Sequence, residues 1–312
     1  MASLDPYGVM TRRLLMLRRI AFLSQLTPVA LLGLAEHARE LSVVRDQIVP
    51  RPSPDAILFF PDGTLCESRG GTPRGFGLFA PDLVPWLADA SFDGVVRARS
   101  AGWALQVPAA SLSAALEDEF SLYLAIASAT AREIIATQAR TAHMPASTIR
   151  PEPFERDFPP LSLTDRVLFL RDTLPFARDH VGALVQLARH ATELRCEDGF
   201  ELWREGSPAD NALFILRGAV HARMRGQDAF TLGPGTALGG LDVLARSPRW
   251  FTATAAGPLL GLVLPVERFI DVLEDRHALA RDVLRTLARV LLSVWSVSVT
   301  RGRSDDSLLA SG

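Results

Sequence analysis

Trp203-Arg204-Glu205-Gly206-Ser207-Pro208-Ala209-Asp210-Asn211-Ala212-Leu213-Phe214-Ile215-Leu216-Arg217-Gly218-Ala219-Val220 holds an apolar run, Ala212 to Leu216, between two glycines. A short apolar run bounded by turn residues is the pattern of a buried strand. Gly261-Leu262-Val263-Leu264 repeats it downstream. Gly199, Gly206, Gly218, Gly226, Gly233 and Gly235 break the interval from Leu194 to Leu264 at turn-like spacing. That combination predicts a small barrel or jelly roll. Helical patterns flank it. Upstream, Thr164-Asp165 offers a cap before Val167, Leu168 and Leu170, and Leu184, Leu187, Ala188 and Ala191 share one helical face. After Pro265 helical periodicity returns and lasts to about Thr300.

The same layout is written twice. Leu34-Ala35-Glu36-His37-Ala38-Arg39-Glu40-Leu41 recurs as Leu187-Ala188-Arg189-His190-Ala191-Thr192-Glu193-Leu194, 153 positions on. Asp55-Ala56-Ile57-Leu58-Phe59-Phe60 faces Asp210-Asn211-Ala212-Leu213-Phe214-Ile215 at 155, and Leu116-Glu117-Asp118 and Pro108 face Leu273-Glu274-Asp275 and Pro265 at 157. A slowly drifting offset is expected of a duplicated domain whose loops have changed length, and it is far longer than a solenoid period. Pro145, Pro151, Pro153, Pro159 and Pro160 make 144–162 a stiff linker. The expected organisation is α+β: a first domain at 10–143, the linker, a second domain at 163–300 and a polar tail at 301–312.

At 312 residues the chain has room for two cores, and 48% apolar with 22% charged residues fits globular folding. A net charge of -2 gives no bulk attraction for nucleic acid. Arg18-Arg19 interrupts the apolar run Leu14 to Leu17, which argues against a secretion signal, and Val290 to Val299 falls short of a membrane span. Cys66 and Cys196 stand apart and read as reduced thiols in a cytoplasmic protein.

Helices, a small β-roll and closing helices resemble the cyclic-nucleotide-binding domain family. Trp203 to Val220 follows that family's first strands, Gly233-Pro234-Gly235 matches the turn before its phosphate cassette, and Pro265-Val266-Glu267-Arg268-Phe269 resembles the start of its closing helix. The resemblance implies a non-enzymatic regulatory or sensor protein with cAMP or cGMP as possible ligand and no cofactor. It also directs attention to Gly239-Gly240-Leu241-Asp242-Val243-Leu244-Ala245-Arg246-Ser247-Pro248-Arg249-Trp250-Phe251-Thr252-Ala253. Gly239, Pro248, Arg249 and Thr252 match the family's cassette; Leu241 lies in its apolar stretch. Gly240 replaces the glutamate that accepts the ribose hydroxyl. Trp250 and Phe251 replace small residues. Loss of the acceptor alone costs roughly one to two decades of affinity. In the first copy Phe92 occupies the Arg position, Ser91 the Pro, Asp82 the Gly and Leu83 the Glu. The first domain is therefore expected to be a degenerate structural copy.

Two readings stay open at each distinctive residue. Arg249 is an anion ligand, or it pairs with Asp242 or another carboxylate. Trp250 and Phe251 form a stacking surface, or they plug an abandoned pocket. His37 and His190 read as matching packing positions, and His221 lacks the further ligands a metal site needs. Adjacent carboxylates at Glu117-Asp118 and Glu274-Asp275 point in different directions on helices, so no catalytic residues are assigned. The expected ligand-binding set is Gly239, Gly240, Leu241, Arg249, Trp250, Phe251 and Thr252, with no metal. Val283, Leu287, Val290, Val294 and Val297 recur at spacings of four and three, the pattern of a coiled-coil seam. Read that way, the last helix makes a homodimer; the other reading packs it on its own β-roll. The alternative function is a ligand-free scaffold contacting an unknown protein. Catabolite-activator-type regulators place a helix-turn-helix after the closing helix, and the polar segment after Thr300 does not resemble one. No nucleic-acid or membrane partner is expected.

Overall fold

The computed structural model describes residues 6–24, 26–49, 55–60, 66–68, 82–90, 96–98, 100–141, 159–174 and 179–309. Most of the linker, the pseudo-cassette residues Ser91 and Phe92, and the side chains of Cys66 and Val297 lie outside the described residues. The chain forms two compact units, Met1–Thr130 with Leu284–Gly312, and Ala131–Val283.

The first unit contains α1 (Pro6–Arg18), α2 (Pro28–His37), β1 (Arg39–Val43), β2 (Ala56–Phe59), β3 (Cys66–Ser68), α3 (Leu83–Leu87), β4 (Val96–Ala98), β5 (Gly102–Pro108), α4 (Ala109–Asp118) and the start of α5 (Phe120–Thr141). β1, β5 and β2 make an antiparallel sheet with β5 in the middle, and β3 pairs with β4. β2 is wholly buried, which is why it reads as an unbroken apolar run.

The second unit opens with α6 (Leu163–Thr173) and α7 (Val181–His190). Ser162 rather than Thr164 caps α6: its hydroxyl accepts the Asp165 N–H at 3.2 Å, and the Asp165 carboxylate accepts the Ser162 N–H at 2.9 Å. This reciprocal box satisfies two donors that the first turn leaves without helical partners. Ser162→Ala is expected to cost about 1 kcal/mol in chemical denaturation.

Eight strands follow: β6 (Thr192–Cys196), β7 (Glu201–Trp203), β8 (Asn211–Arg217), β9 (Val220–Met224), β10 (Gln227–Leu232), β11 (Ala237–Leu238), then, after the short α8 (Gly240–Ala245), β12 (Thr252–Ala255) and β13 (Leu259–Pro265). They form two four-stranded sheets, ordered β10-β9-β12-β7 and β11-β8-β13-β6. Leu213, Ile215, Val220, Ala222, Phe230 and Phe251 fill the core between them. This is the predicted jelly roll. The turn at Gly218 admits only glycine: φ is +81°, and a Cβ would meet the Pro258 carbonyl oxygen at 2.2 Å.

β1-β5-β2 and β6-β13-β8 share their order and their register. Glu40 faces Leu105 and Leu58 faces Gln106 in the first unit; Glu193 faces Leu262 and Leu213 faces Val263 in the second. These partners stand at the offsets of 153, 155 and 157 read from the sequence. Arg13–Glu40 at 3.7 Å and Arg166–Glu193 at 3.3 Å repeat one helix-to-strand ion pair at the offset of 153.

α9 (Val266–Asp275) and α10 (His277–Leu309) close the chain. α5 counts with the second unit from Ala131, and α10 with the first from Leu284. The buried stripe of α10 is Leu279, Ala280, Val283, Leu284, Leu287, Ala288, Leu291 and Trp295. Val290, central to the expected seam, is exposed, and Arg285 and Arg289 bond to Asp89 and the Ala88 carbonyl of the first unit. Among the described residues no helix is long and apolar enough to cross a membrane.

Candidate functional site

Arg249 lies between α8 and β12 with its backbone pinned to the turn before β8. Its N–H donates to the Ser207 carbonyl at 2.9 Å, and its carbonyl accepts the Gly206 N–H at 2.8 Å. The side chain is 1% exposed. Nη2 donates to the Asn211 carbonyl at 2.7 Å and to Asn211 Oδ1 at 3.1 Å, while Nη1 reaches the Gly239 carbonyl at 3.4 Å. The guanidinium carbon stands 4.2 Å from the centre of the Trp203 ring. A buried cation is tolerated only with partners of this kind.

Two carboxylates complete the surround. Asp210 Oδ1 is 3.8 Å from Nη2 and faces water; Asp242 Oδ2 is 3.6 Å from Nη1 and is wholly buried. The Arg249 guanidinium and the Trp250 backbone N–H are the polar groups that face the Asp242 carboxylate. At that separation the Arg249 charge offsets only part of the desolvation, and burial pushes the Asp242 carboxyl up to about 6. Of the two readings of Arg249, the pairing with Asp242 is the one seen, at 3.6 Å.

Gly239 makes this placement possible. It adopts φ +74°, and a Cβ there would sit 2.1 Å from Arg249 Nη1. Beside it, nothing lies within 4 Å of a Cβ built on Gly240. The position has room for a side chain and carries no acceptor. Leu241 is half-buried on α8, and Thr252 Oγ accepts the Glu205 N–H at 3.0 Å, which commits that hydroxyl to the roll.

Phe251 is 2% exposed and belongs to the core of the roll. Its ring stands 5.2 Å from Phe230, 5.7 Å from Trp203 and 5.1 Å from Trp250, with Trp250 in turn 5.8 Å from Phe230. Trp250 is half-buried against the same core. These edge-on and tilted contacts are favoured aromatic geometries and fill space between the sheets. The structure therefore gathers Gly239, Gly240, Arg249 and Asp242 at one place and sends Phe251 into the roll.

Trp203, Asp210 and Asn211 are the partners that the sequence did not single out. They belong to the strand segment that signalled the fold, but only tertiary pairing across 38 positions brings Asn211 to Arg249. His221 bonds to Thr231 at 3.1 Å and pairs with Asp228 at 3.1 Å.

Residues 193–276 match the family profile described as cyclic nucleotide-binding domain. One such domain is therefore present in the second unit. Among solved structures, the regulatory domain of Toxoplasma gondii PKA with cAMP is similar at 14% identity, covering 88% of this chain and 98% of that one with a TM-score of 0.33. A cyclic nucleotide-binding-like protein from Brucella abortus shares 28% identity over 35% of this chain and 98% of its own, TM-score 0.33. The N-terminal domain of a transcriptional regulator from Streptomyces coelicolor shares 26% over 40% and 93%, TM-score 0.36. No curated protein matches the chain.

Proposed function

We propose that this protein is a non-enzymatic regulatory sensor built on a tandem cyclic-nucleotide-binding fold, in which the second unit takes a cyclic nucleotide or related phosphate anion weakly. The supporting observation is the state of Arg249: it keeps a buried cation whose Nη donors already serve Asn211, Gly239 and two carboxylates, while its Nε has no partner. A phosphate that uses the Nη donors displaces an internal partner, so its net gain is small. The missing side chain at Gly240 lowers it further. The first unit is a degenerate copy, a reading supported by the shared strand register and the repeated Arg–Glu pair.

Calorimetry with cAMP and cGMP tests this. The parent protein is expected to bind one of them with a dissociation constant on the order of 100 μM. The double variant Arg249→Ala/Asp242→Asn, which leaves no uncompensated buried charge, is expected to lose that binding. Submicromolar affinity, or equal binding by the double variant, contradicts the proposal. A second reading, a ligand-free interaction module, draws on Phe251 and Trp250 filling the roll. It predicts no binding by either protein.

A further inference from the structure

We infer that Asp242 is a built-in rival of the anion for Arg249, and that protonation of Asp242 releases the guanidinium to a phosphate-bearing ligand. The inference rests on the reading of Arg249 as the ligand cation. Its geometric basis is that one wholly buried carboxylate supplies the negative charge nearest to Nη1 of an equally buried arginine. The two groups stand 3.6 Å apart, so a neutral Asp242 gives up chiefly charge. Nη1 reaches the Gly239 carbonyl, and nothing lies within 4 Å of a Cβ built on the next residue, Gly240.

The other charged groups nearby do not duplicate this role. Asp210 is solvated and lies 3.8 Å from Nη2 rather than beside Nη1. Arg132 of α5 donates from Nε to the Ala245 carbonyl at the end of α8, and Arg246 is exposed at the C-cap. Arg217, at the far end of β8, completes the charged side chains of that strand.

The direction follows from linkage. Burial raises the Asp242 pKa from 3.8 to about 6, so above that value the carboxylate is ionised and occupies Arg249. An anion that replaces it must take up a proton with it. Affinity is then flat below about pH 6 and falls roughly tenfold per unit above it.

The test uses the full chain with cAMP and cGMP, whose phosphodiesters keep one charge throughout the range. Calorimetry at about pH 5.5 and about pH 8, in two buffers of different ionisation enthalpy, reads affinity and proton uptake together. The parent is expected to bind on the order of 100-fold tighter at the lower pH and to take up about one proton per nucleotide at the higher. Asp242→Asn is expected to bind equally at both, near the parent's low-pH affinity, with no uptake. Binding by the parent without uptake, or a pH dependence that survives in Asp242→Asn, overturns the inference and leaves the reading of Arg249 standing. Absence of binding by both proteins at both pH values overturns the two together.

Discussion

Arg249→Ala is expected to lower the stability of the second unit by about 3–5 kcal/mol at pH 8, because it leaves the Asp242 carboxylate buried without its cation. Much of that loss should vanish near pH 5. There the parent's own Asp242 is protonated, and the ion pair it would lose is already absent. Asp242→Asn should behave in the opposite way. Its neutral amide mimics the protonated acid, and Arg249 keeps Asn211, Gly239 and Trp203. With a folded pKa of about 6 against 3.8, Asp242 stabilises the fold in its protonated form. That contribution is complete below about pH 4 and is lost as pH rises to about 6. Above it, the Asn variant should exceed the parent by about 2–3 kcal/mol. Urea denaturation of parent and variants at the two pH values decides the matter. An Arg249→Ala penalty that is the same at both, or an Asn variant weaker than the parent at pH 8, contradicts the assignment.

Phe251→Ala should cost about 3–5 kcal/mol, the range for truncating a buried aromatic ring that neighbours cannot close over. Its ring is 2% exposed and meets three other aromatic rings. Trp250→Ala, at a half-buried position, should cost less. Phe251→Leu separates packing from recognition: it restores most of the volume, so stability should largely return and nucleotide affinity should stay as in the parent. A loss under about 1 kcal/mol for Phe251→Ala would show that the ring does not support the roll. A marked change in nucleotide affinity in Phe251→Leu would return this residue to the ligand.

The roll was legible because its signal is local. Ala212 to Leu216 and Gly261 to Leu264 are apolar runs between turn residues, and β8 and β13 pair along them. The offsets of 153, 155 and 157 reappear in strand register, since a slip of one residue would turn every side chain to the other face. The site was half legible. Gly239 and Arg249 could be picked out along the chain, whereas Asn211, Asp210 and Trp203 reach Arg249 only through folding. The path of α10 was not legible. A periodic apolar face shows that a helix is buried on one side, and it says nothing about which element covers it.

That path sets the order in which the molecule can be finished. Leu284, Leu287, Ala288, Leu291 and Trp295 are core residues of a unit whose other residues end at Thr130, and Arg285 meets Asp89 across 196 positions. On the ribosome the unit that holds residues 6–130 waits for a helix made after the roll at 193–276. The unit begun before the roll therefore closes after it.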